Sequence, residues 1–171
     1  MLMRALAFVP IVALAVTGCC KIPGLSKEKS TEQQPTTTTS ASGETTLVMN
    51  HECSTDPDLR ITRIVRTPTE TRVHIQFKNS KRQATDVSTA LPGSPESFFI
   101  EAADQKRRLE LRTATGIALS PAKTTVQPGG ILNFVVFFPA IDDTWGPVDI
   151  HEGEVFKKGT TYWNFHEVKI K

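Results

Sequence analysis

Hydrophobic and polar residues alternate between positions 72 and 78, where Val73, Ile75 and Phe77 are separated by polar side chains. A period of two indicates a β-strand with one buried face and one solvated face. Residues 61–65, which include Ile61, Ile64 and Val65, form a second predicted strand shortly before it. The two segments, joined by a short turn that contains a proline, predict a β-hairpin.

Short apolar runs continue to the end of the chain, separated by Pro, Gly, Asn and Asp. Segments of this length and spacing are typical of an all-β domain, and no helical period occurs after the first 20 residues. We therefore expect residues 46–171 to form an immunoglobulin-like antiparallel β-sandwich of about seven to eight strands. The further predicted strands span residues 97–101, 109–113, 130–138, 148–151 and 163–170.

The segment 130–138 is apolar on both faces of the predicted strand. One parity directs large residues towards the core, and the other carries Ile131, Val135 and Phe137. Two explanations stay open. A loop or the segment 47–51 covers the second face, or the three residues form an exposed patch that binds a protein partner.

The last predicted strand changes phase, because Phe165 and Val168 fall on opposite parities. A β-bulge inserts one extra residue into a strand and so reverses the parity of everything that follows it. We therefore expect a bulge near His166 and Glu167, which would return both apolar side chains to the inward face.

The first residues of the chain have a different pattern. A basic start is followed by the apolar run 5–16 and by two small residues, which is the order found in a secretion signal. The run is shorter than the about 20 apolar residues that span a bilayer. The sequence Val16-Thr17-Gly18-Cys19 resembles the lipobox of bacterial lipoproteins. That resemblance implies that residues 1–18 are a removed signal peptide and that Cys19 carries diacylglycerol and palmitate.

Lipidation of Cys19 would anchor the protein in a membrane of the bacterial cell envelope, because each buried methylene contributes about 0.8 kcal/mol. Where two membranes are present, the outer membrane is favoured by analogy, since Cys20 rather than Asp follows the lipidated residue. Residues 19–45 are predicted to be the lipidated N-terminus and a flexible linker, because residues 21–44 carry almost no side chain worth burying.

The formal net charge of +2 falls to about +1 once the one arginine of the signal peptide is removed. No basic tract is dense enough to predict a nucleic-acid partner. Several Arg and Lys residues do crowd the first hairpin. They indicate either a solvated outer face or a surface that approaches anionic lipid headgroups.

Three of the four histidines stand beside a glutamate, in His51-Glu52, His151-Glu152 and His166-Glu167. These residue types bind zinc. Adjacent residues on a strand point to opposite faces, however, and no HxH or HExxH spacing occurs. We therefore expect solvated polar pairs, with no metal and no cofactor. No GxSxG or SxxK motif occurs either, so no catalytic residue and no enzyme activity are predicted.

The two cysteines beyond Cys19 leave their pairing open. Cys20 and Cys53 would share an oxidising compartment, so a disulfide between them, free thiols or a mixed disulfide each fit the sequence. Neither residue belongs to a CxxC pair, which argues against a thioredoxin-like redox function.

The domain is similar to a β-sandwich module of uncharacterised bacterial envelope proteins. The similarity rests on packing and turn residues such as Ile61-Thr62-Arg63-Ile64, Asp149-Ile150-His151-Glu152-Gly153 and Trp163-Asn164-Phe165. It implies the fold and transfers no catalytic residue. We expect a membrane-anchored lipoprotein whose sandwich is a non-catalytic binding or assembly module with an envelope protein as its partner.

Two alternative functions make different structural predictions. A carbohydrate- or lipid-binding module would use an aromatic rim of Trp145, Tyr162 and Trp163, with both tryptophans exposed and coplanar. The same three residues fit equally well as half-buried anchors at strand ends. A small metal-dependent hydrolase would show a concave pocket that holds ionisable groups with perturbed pKa values. An assembly module would instead leave the Ile131, Val135 and Phe137 patch open to solvent.

Overall fold

In the computed structural model, which describes residues 34–41, 43–154 and 161–171, twelve strands form three antiparallel sheets. No helix long and apolar enough to cross a bilayer occurs in these described ranges. The strands are β1 (Thr36–Thr39), β2 (Thr45–Glu52), β3 (Leu59–Arg66), β4 (Glu70–Lys78), β5 (Thr85–Val87), β6 (Phe98–Ala102), β7 (Arg108–Glu110), β8 (Thr113–Thr115), β9 (Thr124–Val126), β10 (Ile131–Pro139), β11 (Val148–Glu152) and β12 (Asn164–Val168).

Two larger sheets face each other across one core. The first has the order β1-β2-β3-β4-β10-β8, the second has the order β12-β11-β6-β7, and β5 and β9 form a separate pair. The predicted hairpin is β3 and β4, and β10 pairs with β4 along its whole length. The alternation of Val73, Ile75 and Phe77 explains the place of β4, because all three side chains point into the core.

The core is built from the inward parity of both sheets. Phe134 of the six-stranded sheet and Phe98 of the four-stranded sheet are fully buried, and both approach Trp163. The Trp163 ring centroid lies 5.9 Å from that of Phe134 and 6.2 Å from that of Phe98. These contacts join the two sheets, so the prediction of an all-β antiparallel sandwich is confirmed.

The number of strands exceeds the predicted seven to eight, because several strands are too short to show a period. The predicted strand 109–113 is divided between two sheets: β7 belongs to the four-stranded sheet and β8 to the six-stranded sheet. The chain crosses between them at Leu111 and Arg112. Their amide nitrogens donate to Phe98 O and Phe137 O, at 3.1 and 2.7 Å.

The prediction of a flexible linker as far as residue 45 is wrong for residues 36–39, which form strand β1. Residues Thr36–Thr39 pair with β2, from Thr36 opposite Val48 to Thr39 opposite Thr45. All four threonines are exposed. Backbone hydrogen bonds to an edge strand therefore hold a segment that has nothing to bury, and β-branched threonine favours that conformation. The lipobox, Cys20 and the linker up to residue 33 lie outside the described residues.

The predicted β-bulge in the last strand is confirmed. Glu167 has a φ of 54°, and the pairing of β11 with β12 shifts register between Val148 and Ile150. Phe165 and Val168 are consequently both fully buried, although they are three residues apart. The bulge leaves two residues of β12 facing the single residue Asp149 of β11.

A buried arginine fastens the C-terminal segment to the sandwich. Arg66, at the end of β3, is only 8% exposed. Its guanidinium donates hydrogen bonds to Ile170 O at 3.1 Å, to Ile141 O at 3.0 Å and to Asp143 Oδ1 at 2.7 Å. A planar guanidinium satisfies several acceptors at once, so one side chain ties two separate segments to β3.

Candidate functional site

The outer face of the six-stranded sheet carries the residues of the predicted partner-binding patch. Ile131 is 56% exposed, and Val135 and Phe137 are half-buried on the same outward parity of β10. The segment 47–51 does not cover them, because it forms most of β2 in the same sheet. The covered-face explanation is therefore wrong in that form, and the patch faces outward.

A shallow depression of about 370 Å³ lies on this face, and we call it the sheet-face depression. It combines apolar, hydroxyl and basic side chains from β2, β3, β4 and β10 with the acidic side chain of Glu44, which directly precedes β2. Such a mixture on one open surface suits a protein partner better than a water-excluded ligand site. Its lining residues are Glu44, Thr46, Arg63, Val65, Arg72, His74, Val135 and Phe137.

The charged side chains of the sheet-face depression are Glu44, Arg63 and Arg72, and His74 is neutral. Burial lowers the pKa of His74 to about 4, and the positive charges of Arg63 and Arg72 add to this shift. His74 is therefore uncharged at neutral pH, with Arg63 Nη2 3.1 Å from its Nδ1. Arg72 forms an ion pair with Glu70, with 2.5 Å between Nε and Oε1. Arg63 is consequently the exposed cation of the depression that is left to meet an anionic group.

The predicted aromatic rim is wrong for its two tryptophans. Trp145 is 4% exposed and Trp163 is 6% exposed, so neither indole presents a flat face to a sugar ring. Trp163 packs in the core as described above, and Trp145 lies beneath the guanidinium of Arg107, whose Cζ is 4.8 Å from the ring centroid. Tyr162 is half-buried and lines a different feature, a cleft at one end of the sandwich.

That cleft has a volume of about 520 Å³ and contains a buried carboxyl group. Glu152, at the end of β11, is only 6% exposed and shares the cleft wall with Thr89, Tyr162 and Trp163. The backbone N–H of Trp163 donates to Glu152 Oε2 at 3.4 Å. The Tyr162 hydroxyl is buried without a hydrogen-bond partner among the described residues. We call this feature the Glu152 cleft.

Burial raises the pKa of Glu152 to about 8, although the hydrogen bond from the backbone N–H of Trp163 favours the charged form. The carboxyl group is therefore mostly protonated at neutral pH and can donate a hydrogen bond into the cleft. A concave pocket with a perturbed ionisable group is the condition stated above for an enzyme. The enzymatic alternative accordingly has a physical location, although no sequence motif marked it.

The sequence carried a signal for Glu152 that the motif search did not use. Val148, Ile150 and Glu152 share one parity of β11, and all three are buried. A glutamate that continues an inward apolar parity is expected to be buried and to have a raised pKa. The His-Glu pair at this position is therefore divided, with Glu152 inward and His151 outward.

The other predicted polar pairs lie on strands as expected, but their surroundings differ. His51 lies near the core aromatic Phe165, with 6.4 Å between ring centroids. His166 is exposed on the outer face of the four-stranded sheet, opposite Asp149. Asp149 and His151 are two residues apart on one strand and therefore point to the same face. A search for paired histidines does not detect this combination of Asp and His.

The cysteine that the structure describes is a free thiol. Cys53 is buried, and its Sγ lies 3.3 Å from Thr55 Oγ1. Burial among core residues is the ordinary environment of a structural cysteine. Cys19 and Cys20 lie outside the described residues.

Comparison with known proteins adds no relative to these observations. No protein-family model, no curated protein and no solved structure matches the chain.

Proposed function

We propose that this protein is a membrane-anchored envelope lipoprotein whose β-sandwich binds an envelope protein without catalysis. The observation that carries the proposal is the outward position of Ile131, Val135 and Phe137 on the open face of the six-stranded sheet. Apolar side chains that cluster on the surface of a soluble domain usually mark a contact surface. The sheet-face depression is the contact surface that we propose.

The chemistry of the depression favours a partner with acidic and apolar contact residues. Arg63 is exposed in the same depression as the half-buried Val135 and Phe137; His74 is neutral, and Glu44 is the one acidic side chain of the lining. A carboxylate of the partner can pair with Arg63 while an apolar side chain covers Phe137. Electrostatic complementarity of this kind sets specificity and orientation, and the apolar centre contributes most of the affinity.

The anchor is proposed on the lipobox resemblance alone. If Cys19 is lipidated, the chain from Cys19 to the first residue of β1 at Thr36 is the tether. A flexible chain of that length has a root-mean-square reach of about 22 Å. The sandwich would then lie close to the membrane surface. Its proposed partner is also an envelope component and would lie there too.

We expect the substitution Cys19→Ser to release the protein from membranes and to abolish its labelling by palmitate. Loss of two or more acyl chains removes the main source of membrane affinity. Cys20→Ser is the matched control, because it removes the adjacent thiol and leaves the proposed acylation site intact. Metabolic labelling and mass spectrometry of the mature N-terminus provide the measurement. Equal labelling of both variants would contradict the anchor.

We expect Phe137→Asp to weaken partner binding by about 30-fold or more, because the substitution puts an unpaired charge at the centre of the contact. A photo-crosslinking residue at Asn133, which is exposed on the same parity of β10, captures the partner for identification. The affinity of that partner is then measured with purified proteins.

Leu91→Asp is the control for this experiment, since Leu91 is 52% exposed on a loop outside the depression. It introduces the same charge and should leave the affinity unchanged. Arg63→Glu should also weaken the binding of a partner that has acidic contact residues. If Phe137→Asp and Leu91→Asp bind the partner equally well, the sheet-face depression is not the binding surface.

A small polar ligand in the Glu152 cleft is the second candidate function. It is favoured by the buried protonated carboxyl group and by the Tyr162 hydroxyl of the same wall, which has no hydrogen-bond partner within the described part of the chain. The two candidates lie on different surfaces, so the crosslinking experiment separates them. A ligand held in the cleft would be insensitive to Phe137→Asp.

A further inference from the structure

Two imidazoles and a carboxylate meet on the outer face of the four-stranded sheet. Asp149 and His151 point outward from β11, and His166 faces them from β12. Asp149 Oδ2 lies 3.5 Å from His166 Nδ1 and 4.0 Å from His151 Nε2. One ligand atom from each residue can be chosen so that all three lie within 4.8 Å of one another.

A neighbouring amide orients His151. Its Nδ1 lies 3.0 Å from Asn164 Oδ1, which is a hydrogen-bond acceptor. With Asn164 Oδ1 as the acceptor, Nδ1 carries the proton, and Nε2, 4.0 Å from Asp149 Oδ2, is the nitrogen left to bind a metal. The Phe99 ring packs beside the imidazole with 5.1 Å between centroids. A histidine held through its second nitrogen in this way is the usual arrangement around a bound metal.

The β-bulge orients the carboxylate. Glu167 N donates a hydrogen bond to Asp149 Oδ1 at 2.7 Å, and this donor is available because Glu167 is the bulged residue. One carboxylate oxygen is thus occupied by the backbone, and Oδ2 is left facing both imidazoles. Glu101, which stands directly across from Asp149 on β6, adds negative charge beside the cluster.

We propose that Asp149, His151 and His166 bind one divalent metal ion of the zinc type, and we use Zn²⁺ to describe its geometry and to test it. Neutral imidazole and carboxylate are ligands for zinc, with metal–ligand distances of about 2.0–2.2 Å. Ligand atoms at the corners of such a tetrahedron are about 3.4 Å apart. The two separations from Asp149 Oδ2 are 3.5 and 4.0 Å, and a set of ligand atoms within 4.8 Å of one another reaches that spacing by a side-chain adjustment of about 1 Å. His166 is exposed, so the fourth position is open to water or to a ligand.

The metal site does not rest on the proposed function. It uses the outer face of the other sheet and none of the residues of the sheet-face depression. The metal would join β11 to β12. With three protein ligands and one open position, it can also accept a donor group from a ligand or a second protein.

Equilibrium dialysis of the full-length protein with Zn²⁺ tests the stoichiometry, and titration with Co²⁺ tests the ligand geometry through its visible absorption bands. We expect one metal ion per chain and a four-coordinate Co²⁺ spectrum. Asp149→Asn and His166→Gln should each lower the Zn²⁺ affinity by about 100-fold or more. Asn164→Leu, which acts only through His151, should lower it by about 10-fold.

His51→Gln is the matched control, because it removes a histidine from the same kind of His-Glu pair and should leave the affinity unchanged. Thermal unfolding without metal verifies that each variant is folded. Excess Zn²⁺ should then raise the Tm of the wild type but not that of His166→Gln. Absence of stoichiometric uptake, or equal affinity of His166→Gln and His51→Gln, would overturn the site.

Discussion

Raising the pH from 5 to 9 should lower the free energy of unfolding by about 4 kcal/mol through Glu152, and Glu152→Gln should remove this loss. The pKa of Glu152 is about 8 in the folded protein, against 4.5 for an unperturbed glutamate. The folded state therefore keeps a proton that the unfolded state releases. This contribution to stability is fully present below pH 4.5 and is lost as the pH rises through 8.

Chemical denaturation of the wild type and of Glu152→Gln at pH 5, 7 and 9 measures the effect. His74 has the opposite sign, because its pKa is lowered to about 4 and its contribution is lost as the pH falls below 6.5. Both proteins contain His74, so the difference between their pH profiles isolates Glu152. Glu52→Gln, at an exposed position of β2, should keep the wild-type profile. Parallel profiles for wild type and Glu152→Gln would show that the Glu152 carboxyl is charged and solvated.

We expect Arg66→Met to destabilise the fold by about 3 kcal/mol, because it leaves two buried carbonyl oxygens without their donors. The oxygens belong to Ile141 and Ile170, which are both almost fully buried. Arg66→Lys should recover only part of the loss, since an ammonium group cannot reproduce the planar fork of the guanidinium.

The ion pair between Arg66 and Asp143 should contribute far less than these carbonyl contacts. The Asp143 side chain is 95% exposed, and exposed partners typically contribute less than about 1 kcal/mol. Asp143→Ala is therefore the matched control, and denaturant unfolding of both variants at pH 7 makes the comparison. Equal destabilisation by Arg66→Met and Asp143→Ala would contradict a role for the carbonyl contacts.

Segments in which hydrophobic and polar residues alternate regularly predicted the fold well. The alternation around Ile75 places β4 in the sheet, and the phase change between Phe165 and Val168 predicts the bulge at Glu167. Both predictions need only local sequence, because burial on one face dictates parity. Strand β1 was not predicted, since four exposed threonines carry no burial signal and only their backbone pairs.

The candidate sites depend more on register than on composition. Whether His166 faces Asp149 is decided by the pairing of β11 with β12, which no local pattern specifies. The sequence is equally compatible with Trp145 and Trp163 as an exposed rim and as half-buried anchors at strand ends, and both side chains pack inward. The burial of Glu152 is predictable from parity, because Glu152 extends the inward row of Val148 and Ile150.

The edge position of β1 affects how the domain responds to mechanical load. A pull on the chain that precedes Thr36 acts first on the Thr36–Val48 end of the pairing with β2. The backbone hydrogen bonds then break one after another, as in a zipper, rather than all together. Peeling these four residues away would add about 14 Å of extended chain before force reaches the hydrophobic core. Strand β1 would thus extend the chain reversibly: it would separate from β2 under tension and pair with it again when the tension is released.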